Sequence, residues 1–150
     1  MFKYLNFNDL SSNEIKLTIK TQDQPDPNNG ILPRYGFAII RISDNKEVGI
    51  IYFAADTTNR QYTRGHLSYG ISPEYQGNNY AAKACQIIKP VPLAHGFTRL
   101  FIGSKYDNIP SIKTIEKLGA IPITKDDVPQ AAILQQLQEE KTYMYVWDIA

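Results

Sequence analysis

The sequence predicts an α/β fold in which a mixed, mostly antiparallel sheet carries helices on its faces. Three observations predict it: a meander of extended runs in the first half, a strand–helix–strand–helix–strand order in the second, and enough apolar material for one core. Of the 150 residues, 43% are apolar and 21% charged, as in ordinary soluble globules. The length suits one domain over residues 1–150.

Residues 14–20 alternate apolar Ile15, Leu17 and Ile19 with polar neighbours, the period of two that marks a half-buried strand. Residues 23–33 crowd Pro25, Pro27, Asn28, Asn29, Gly30 and Pro33 into one loop. Residues 35–42 and 48–53 are β-branched and aromatic runs, joined by Ser43-Asp44-Asn45-Lys46 as a hairpin turn. Residues 66–71 alternate again, with Leu67, Tyr69 and Ile71 on one face and His66, Ser68 and Gly70 on the other. The alanine-rich residues 79–89 read as a helix that Pro90 and Pro92 stop or kink. Residues 99–104 form the next strand. Pro110 then sits near a helix start, Ile112, Ile115 and Leu118 make a stripe at helical spacing, and Gly119 stands where a left-handed C-cap belongs. Residues 121–124 read as a short strand and residues 128–140 as a helical region with Asp127 as cap and Pro129 in its first turn. An aromatic strand, residues 143–149, closes the chain.

Composition excludes several functions. The 16 basic and 15 acidic side chains give a formal charge of +1, without the basic excess or stripe of a nucleic-acid binder. The longest apolar stretch, residues 50–55, is far short of the ~18 residues a membrane span needs. Met1-Phe2-Lys3-Tyr4-Leu5-Asn6 does not read as a secretory signal. Cys85 is the single cysteine, so no intramolecular disulfide forms, which suits a reducing cytoplasm. Cys85, His66 and His95 lack the spacing of a zinc site, and no metal is expected.

The chemistry concentrates in Tyr69-Gly70-Ile71-Ser72-Pro73-Glu74-Tyr75-Gln76-Gly77-Asn78-Asn79-Tyr80-Ala81. A strand, a Pro-Glu turn and a loop of small and polar residues lead into a helix, so several backbone N–H groups and the helix dipole converge on one place. Gly77 lets the loop approach an anion closely, and Gln76, Asn78 and Asn79 add neutral donors. The pattern fits a phosphate or pyrophosphate site; it also fits a strand–turn–helix connection with nothing bound. Residues 104–120 join a strand to a helix a second time and place Asn108 and Ser111 at the helix mouth. Two such junctions in one sheet can hold the two ends of an extended, phosphate-bearing ligand.

Together these segments resemble the GNAT superfamily of acetyl-CoA-dependent N-acetyltransferases. The family's turn reads Gln/Arg-x-x-Gly-x-Gly/Ala, and Pro73-Glu74-Tyr75-Gln76-Gly77-Asn78-Asn79-Tyr80-Ala81 is similar to it, with Asn79 in place of the second glycine. Asparagine tolerates a left-handed backbone better than most residues. The later Asn-x-x-Ser element is matched by Asn108 and Ser111, and Glu116-Lys117-Leu118-Gly119 follows it as in the family. The likeness covers residues 35–124 well and the N-terminal part loosely, and it is greatest to small bacterial members near the ribosomal-protein N-terminal acetyltransferases.

The resemblance implies a single-domain fold with a central sheet of six to seven strands splayed in the middle. It implies acetyl-CoA as co-substrate, with the pyrophosphate on the amides of residues 76–81. The pantetheine arm would lie along the backbone of Tyr69, Gly70 and Ile71 and against Asn108. The acceptor it implies is a primary amine, on a small molecule or a peptide N-terminus. Many relatives protonate the leaving thiolate with a tyrosine at the position of Ile115; Ser111 is the local substitute and Tyr106 a second candidate. Ser111 also reads as a first-turn hydroxyl that satisfies orphan N–H groups. His66 stands where relatives carry a glutamate base, and it also reads as a solvated residue at a strand start. The alternative to an enzyme is a non-catalytic acyl-CoA-binding domain, which Ile115 and Asn79 would fit. An exposed aromatic C-terminal strand makes a homodimer an expectation.

Overall fold

The computed structural model describes residues 2–150. Four strands, β1 (Ile15–Asp23), β2 (Arg34–Arg41), β3 (Lys46–Ala54) and β4 (Leu67–Ile71), form one sheet in that spatial order, with every ladder antiparallel. The hairpin between β2 and β3 turns at Asn45, which takes φ 58°, a left-handed angle that asparagine tolerates. A one-turn helix, α1 (Gln61–Arg64), precedes β4. After β4 come α2 (Tyr80–Ile88) and, directly after Lys89, α3 (Pro90–Ala94). Pro90 therefore ends one helix by opening another, since its missing N–H costs nothing in a first turn.

A second sheet holds β5 (Arg99–Lys105), β6 (Ile121–Pro122) and β7 (Thr142–Asp148) in the order β5-β7-β6, again antiparallel. Between β5 and β6 runs α4 (Ile109–Lys117), and before β7 runs α5 (Ala132–Glu139). The helix expected over residues 128–140 begins later than its cap and proline imply. Asp127 instead closes a capping box with Thr124 around the short turn Lys125–Asp127. β7 is the middle strand of its sheet, with Tyr145 and Trp147 buried and Tyr143 left exposed. It is not an exposed edge, so the expected homodimer loses the feature it rested on.

Alternation along the strands builds two apolar layers. Leu100, Ile102, Tyr145 and Trp147 join Tyr35, Phe53, Ile51 and the inner face of α2 in the main core. Phe101, Met144 and Val146 point the other way, onto Leu137 of α5 and Tyr62 of α1. The buried residues of α2 are Tyr80, Ala81, Ala82, Ala84, Cys85 and Ile88, and the four small ones between its ends let the helix lie close on the sheet. Ile115, fully buried in α4, completes this layer.

Hydrogen bonds between the two sheets converge on one residue. The backbone N–H of His66 donates to the Phe101 carbonyl (2.6 Å), and the Phe101 N–H donates back to His66 Nδ1 (2.9 Å). Beyond that point no ladder among the described residues joins β4 to β5, and the strands part.

Candidate active site

Beyond that joint, β4, the loop and first turn of α2, and α4 enclose a cavity of about 840 Å³. Tyr69, Gly70 and Ile71 line its β4 side, and Asn108 and Ser111 line the mouth of α4 opposite. The loop before α2 supplies the far end through Gln76, Gly77, Asn79, Tyr80 and Ala81. Nearly all the residues assigned to coenzyme binding from the sequence thus border one space. The side chain of Asn78 turns back onto the Tyr75 carbonyl (3.0 Å).

The loop is fixed by its own side chains and leaves its amides free. Gln76 Nε2 donates to the Ile71 carbonyl (3.1 Å), and Lys83 Nζ donates to the Asn78 carbonyl (3.3 Å) while pairing with Glu14 (2.7 Å). No hydrogen bond among the described residues uses the N–H of Gly77, Asn78, Asn79, Tyr80 or Ala81. Asn79, the N-cap of α2, caps nothing with its side chain, because its Oδ1 accepts from Lys117 Nζ (2.6 Å). An uncapped helix start with free amides is what an anion requires. Lys113 and Lys117, four apart on α4 and both lining the cavity, add positive charge. Gly77 takes φ +90° with open space where a Cβ would stand, so a phosphate can approach the backbone there. These groups fit a pyrophosphate.

Asn79 holds φ 61° and ψ 24°, the left-handed conformation that the usual glycine would adopt without cost. Asn79→Gly is expected to change stability by no more than about 1 kcal/mol, whereas Asn79→Val forces a β-branched residue into that region and should lose roughly 1–2 kcal/mol. Urea denaturation of the two variants checks this.

Ser111 and Tyr69 form the polar centre of the groove. The Ser111 N–H donates to Asn108 Oδ1 (3.3 Å), so Asn108 is the side chain that caps α4. That releases the Ser111 hydroxyl, which stands 3.3 Å from the Tyr69 hydroxyl. Burial pushes the Tyr69 phenol up to about 12, against the opposing pull of its Ser111 hydrogen bond. Tyr69 therefore remains a protonated donor at neutral pH. The sequence reading used only its backbone; its position on the inward face with Leu67 and Ile71 was the available signal. Lys113 and Lys117 were also missed, although their spacing puts them on one helical face.

Two proposed catalytic side chains lie elsewhere. His66 is 3% exposed, with Nδ1 accepting from Phe101 and Nε2 on the Asp56 carbonyl (3.0 Å). Its one lone pair is engaged, and burial lowers its pKa, partly offset by the Asp56 hydrogen bond. This is the joint between the sheets, not an available base and not the solvated residue of the alternative. Tyr106 is exposed and stacks on Tyr143 at 4.2 Å, outside the lining of the groove. Cys85 is fully buried and its thiol is pushed up by burial; it packs and does not react. Among the described residues no three His, Cys, Asp or Glu side chains come together to hold a metal ion, and no helix is long and apolar enough to cross a membrane.

A family model described as an acetyltransferase (GNAT) domain matches residues 3–121. No curated protein matches the sequence. Among solved structures, a GNAT-family acetyltransferase from Bacillus anthracis is similar at TM-score 0.56 and 22% identity, over 76% of this chain and 66% of its own. An acetyl transferase from Salmonella typhimurium that modifies the N-terminal serine of ribosomal protein L7/L12 is similar at TM-score 0.56 and 15% identity, over 82% and 67%. The microcin C7 self-immunity acetyltransferase, solved with acetyl-CoA and AMP, is similar at TM-score 0.54 and 16% identity, over 77% and 61%. The chain spans just under two thirds of the first of these and about three fifths of the last. Identities this low speak for the fold.

Proposed function

Because the chain belongs to the GNAT acetyltransferase family, we propose that it moves an acetyl group from acetyl-CoA to a primary amine by direct transfer in a ternary complex. The observation that carries the reading is the set of unpaired amides from Gly77 to Ala81 at the end of a groove whose other walls are Tyr69 and Ser111. When bound, acetyl-CoA supplies the thioester carbonyl that the amine attacks, forming a C–N bond as the C–S bond breaks. Amides 77–81 with Lys113 and Lys117 hold the pyrophosphate. The edge of β4 away from β3 at Tyr69, Gly70 and Ile71, where Gln76 already holds the Ile71 carbonyl, lies along the pantetheine arm, and Asn108, whose Nδ2 is left over from capping, reaches it. Ser111 Oγ gives its proton to the sulfur and regains one by way of the Tyr69 hydroxyl. The nitrogen's surplus proton balances the exchange. Tyr106 and His66 have no part in this scheme. The acceptor is an amine on a small molecule or a peptide N-terminus, and the reaction belongs to the cytoplasm.

Acetyl-CoA is expected to raise the melting temperature while ATP and NAD do not, and thiol release above the hydrolytic background should appear with some amine. Stabilisation without turnover across an amine panel would identify a non-catalytic acyl-CoA-binding domain, a reading the buried Ile115 favours. Stabilisation by ATP or NAD alone would discard both.

A further inference from the structure

Behind β4 the sheet carries a second concavity. Tyr69 faces the groove, so Ser68 faces the opposite side, where a cavity of about 360 Å³ is lined by Ser68, Arg34, Asp56, Arg60 and Arg64 among others. Arg64 also lines a neighbouring cavity of about 520 Å³ that reaches β5 at Gly103 and Ser104. The two spaces therefore touch both strands that part at His66.

The charges in the smaller cavity are unevenly matched. Arg34 pairs with Asp23 (2.9 Å). Asp56 is 1% exposed, and its Oδ1 accepts from the Thr58 N–H (2.8 Å) and hydroxyl (2.7 Å). No hydrogen bond among the described residues reaches Oδ2, and no cation pairs with this carboxylate. A buried carboxylate without a cation is costly, and this one borders an open space that a cation can enter. On the same lining, the Arg60 side chain donates only to the Gly30 carbonyl (3.2 Å). The Arg64 side chain has neither a hydrogen bond nor an ion pair among the described residues. One cavity thus offers a buried, uncompensated carboxylate and two guanidiniums without carboxylate partners, which complements a molecule bearing both charges. Its volume admits a few small groups and no long chain.

We propose that this cavity receives the acetyl acceptor, and that the acceptor is a small amino acid-like zwitterion, a free amino acid or a dipeptide. Asp56 takes the ammonium end and accepts one of its protons, which frees the nitrogen lone pair for attack and passes on to solvent, and Arg60 and Arg64 take the carboxylate. The inference rests on the acetyltransferase reading and deepens it by naming the acceptor class.

The test is calorimetric titration of the full chain, without acetyl-CoA, with the standard amino acids, with alanyl dipeptides, with the C-terminal amide of each and with cadaverine. Thiol-release assays with acetyl-CoA are run on the same panel. At least one zwitterion is expected to bind and to be acetylated roughly tenfold better than its amide, the effect of one charge-assisted contact. Free amino acids and dipeptides are told apart by which arm of the panel binds. Arg64→Ala, an exposed position, should narrow the preference for carboxylate over amide, with Arg60 keeping part of it, and leave acetyl-CoA affinity unchanged; an unaltered preference overturns the assignment. Asp56→Asn should weaken both zwitterion and amide; if that variant does not fold, the Arg64 result decides. Equal or better binding of amides or cadaverine overturns the proposal, as does failure of every zwitterion to bind. If acetyl-CoA binds and is turned over with such other amines, this inference alone falls. If acetyl-CoA does not bind at all, the acetyltransferase reading falls first.

Discussion

Ser111→Ala is expected to lower kcat by roughly 100-fold, the lower end of what a positioned proton donor contributes, while acetyl-CoA affinity changes by no more than about threefold. The asymmetry follows from where the serine stands. Its backbone N–H is held by Asn108 Oδ1 and survives the substitution, so α4 keeps its cap and the groove keeps its shape. What disappears is a hydroxyl that stands 3.3 Å from the Tyr69 phenol. Because burial holds that phenol protonated to about 12, the pair can deliver a proton throughout the neutral range. Steady-state thiol release gives kcat, and calorimetry gives the affinity. Wild-type turnover in Ser111→Ala would reduce the residue to a helix-mouth hydroxyl and move the proton donor elsewhere.

The second large effect concerns stability. His66→Ala is expected to cost about 3 kcal/mol, because it strands the Phe101 N–H and the Asp56 carbonyl, each a buried group worth about 1–3 kcal/mol when unsatisfied. Urea denaturation reads it. The same residue sets a pH dependence. Unfolded, its imidazole titrates near 6.5; folded, burial lowers that value. Below about pH 6.5 the unfolded chain therefore takes up a proton that the folded chain resists, and stability falls with acidification until the lower folded value is reached. Above that window the curve is flat in this group. His95, also lowered by burial, adds a slope of the same sign. His66→Gln should flatten the melting-temperature profile between neutrality and acid to the His95 residue of it; a wild-type profile with no acid-side loss would contradict the assignment.

How much was legible in the sequence depends on whether a feature is local. The Pro73–Ala81 turn could be read because its chemistry belongs to consecutive backbone amides, and Asn79 could be read as a glycine substitute because the tolerance for a left-handed φ belongs to the residue itself. The role of Ser111 was open because a serine at a helix mouth has two uses; only the distance from Asn108 shows which side chain does the capping. His66 was misplaced for a different reason. Its residue type invites a base, but the donor that occupies its lone pair comes from Phe101, thirty-five positions on. The start of α5 was set too early since Asp127 and Thr124 satisfy each other first. The rear cavity could not be read at all: Arg34, Asp56 and Arg64 meet only after three strands and a loop have folded.

The small side chains on α2 have a consequence for how tightly the coenzyme is held. Ala82, Ala84 and Cys85 are buried and lie outside the lining of the groove, and they set how closely α2 settles on β1 and β4. A single methylene added at that layer would act as a shim, lifting the amides at the start of α2 away from β4, so that side chains outside the groove would tune affinity there.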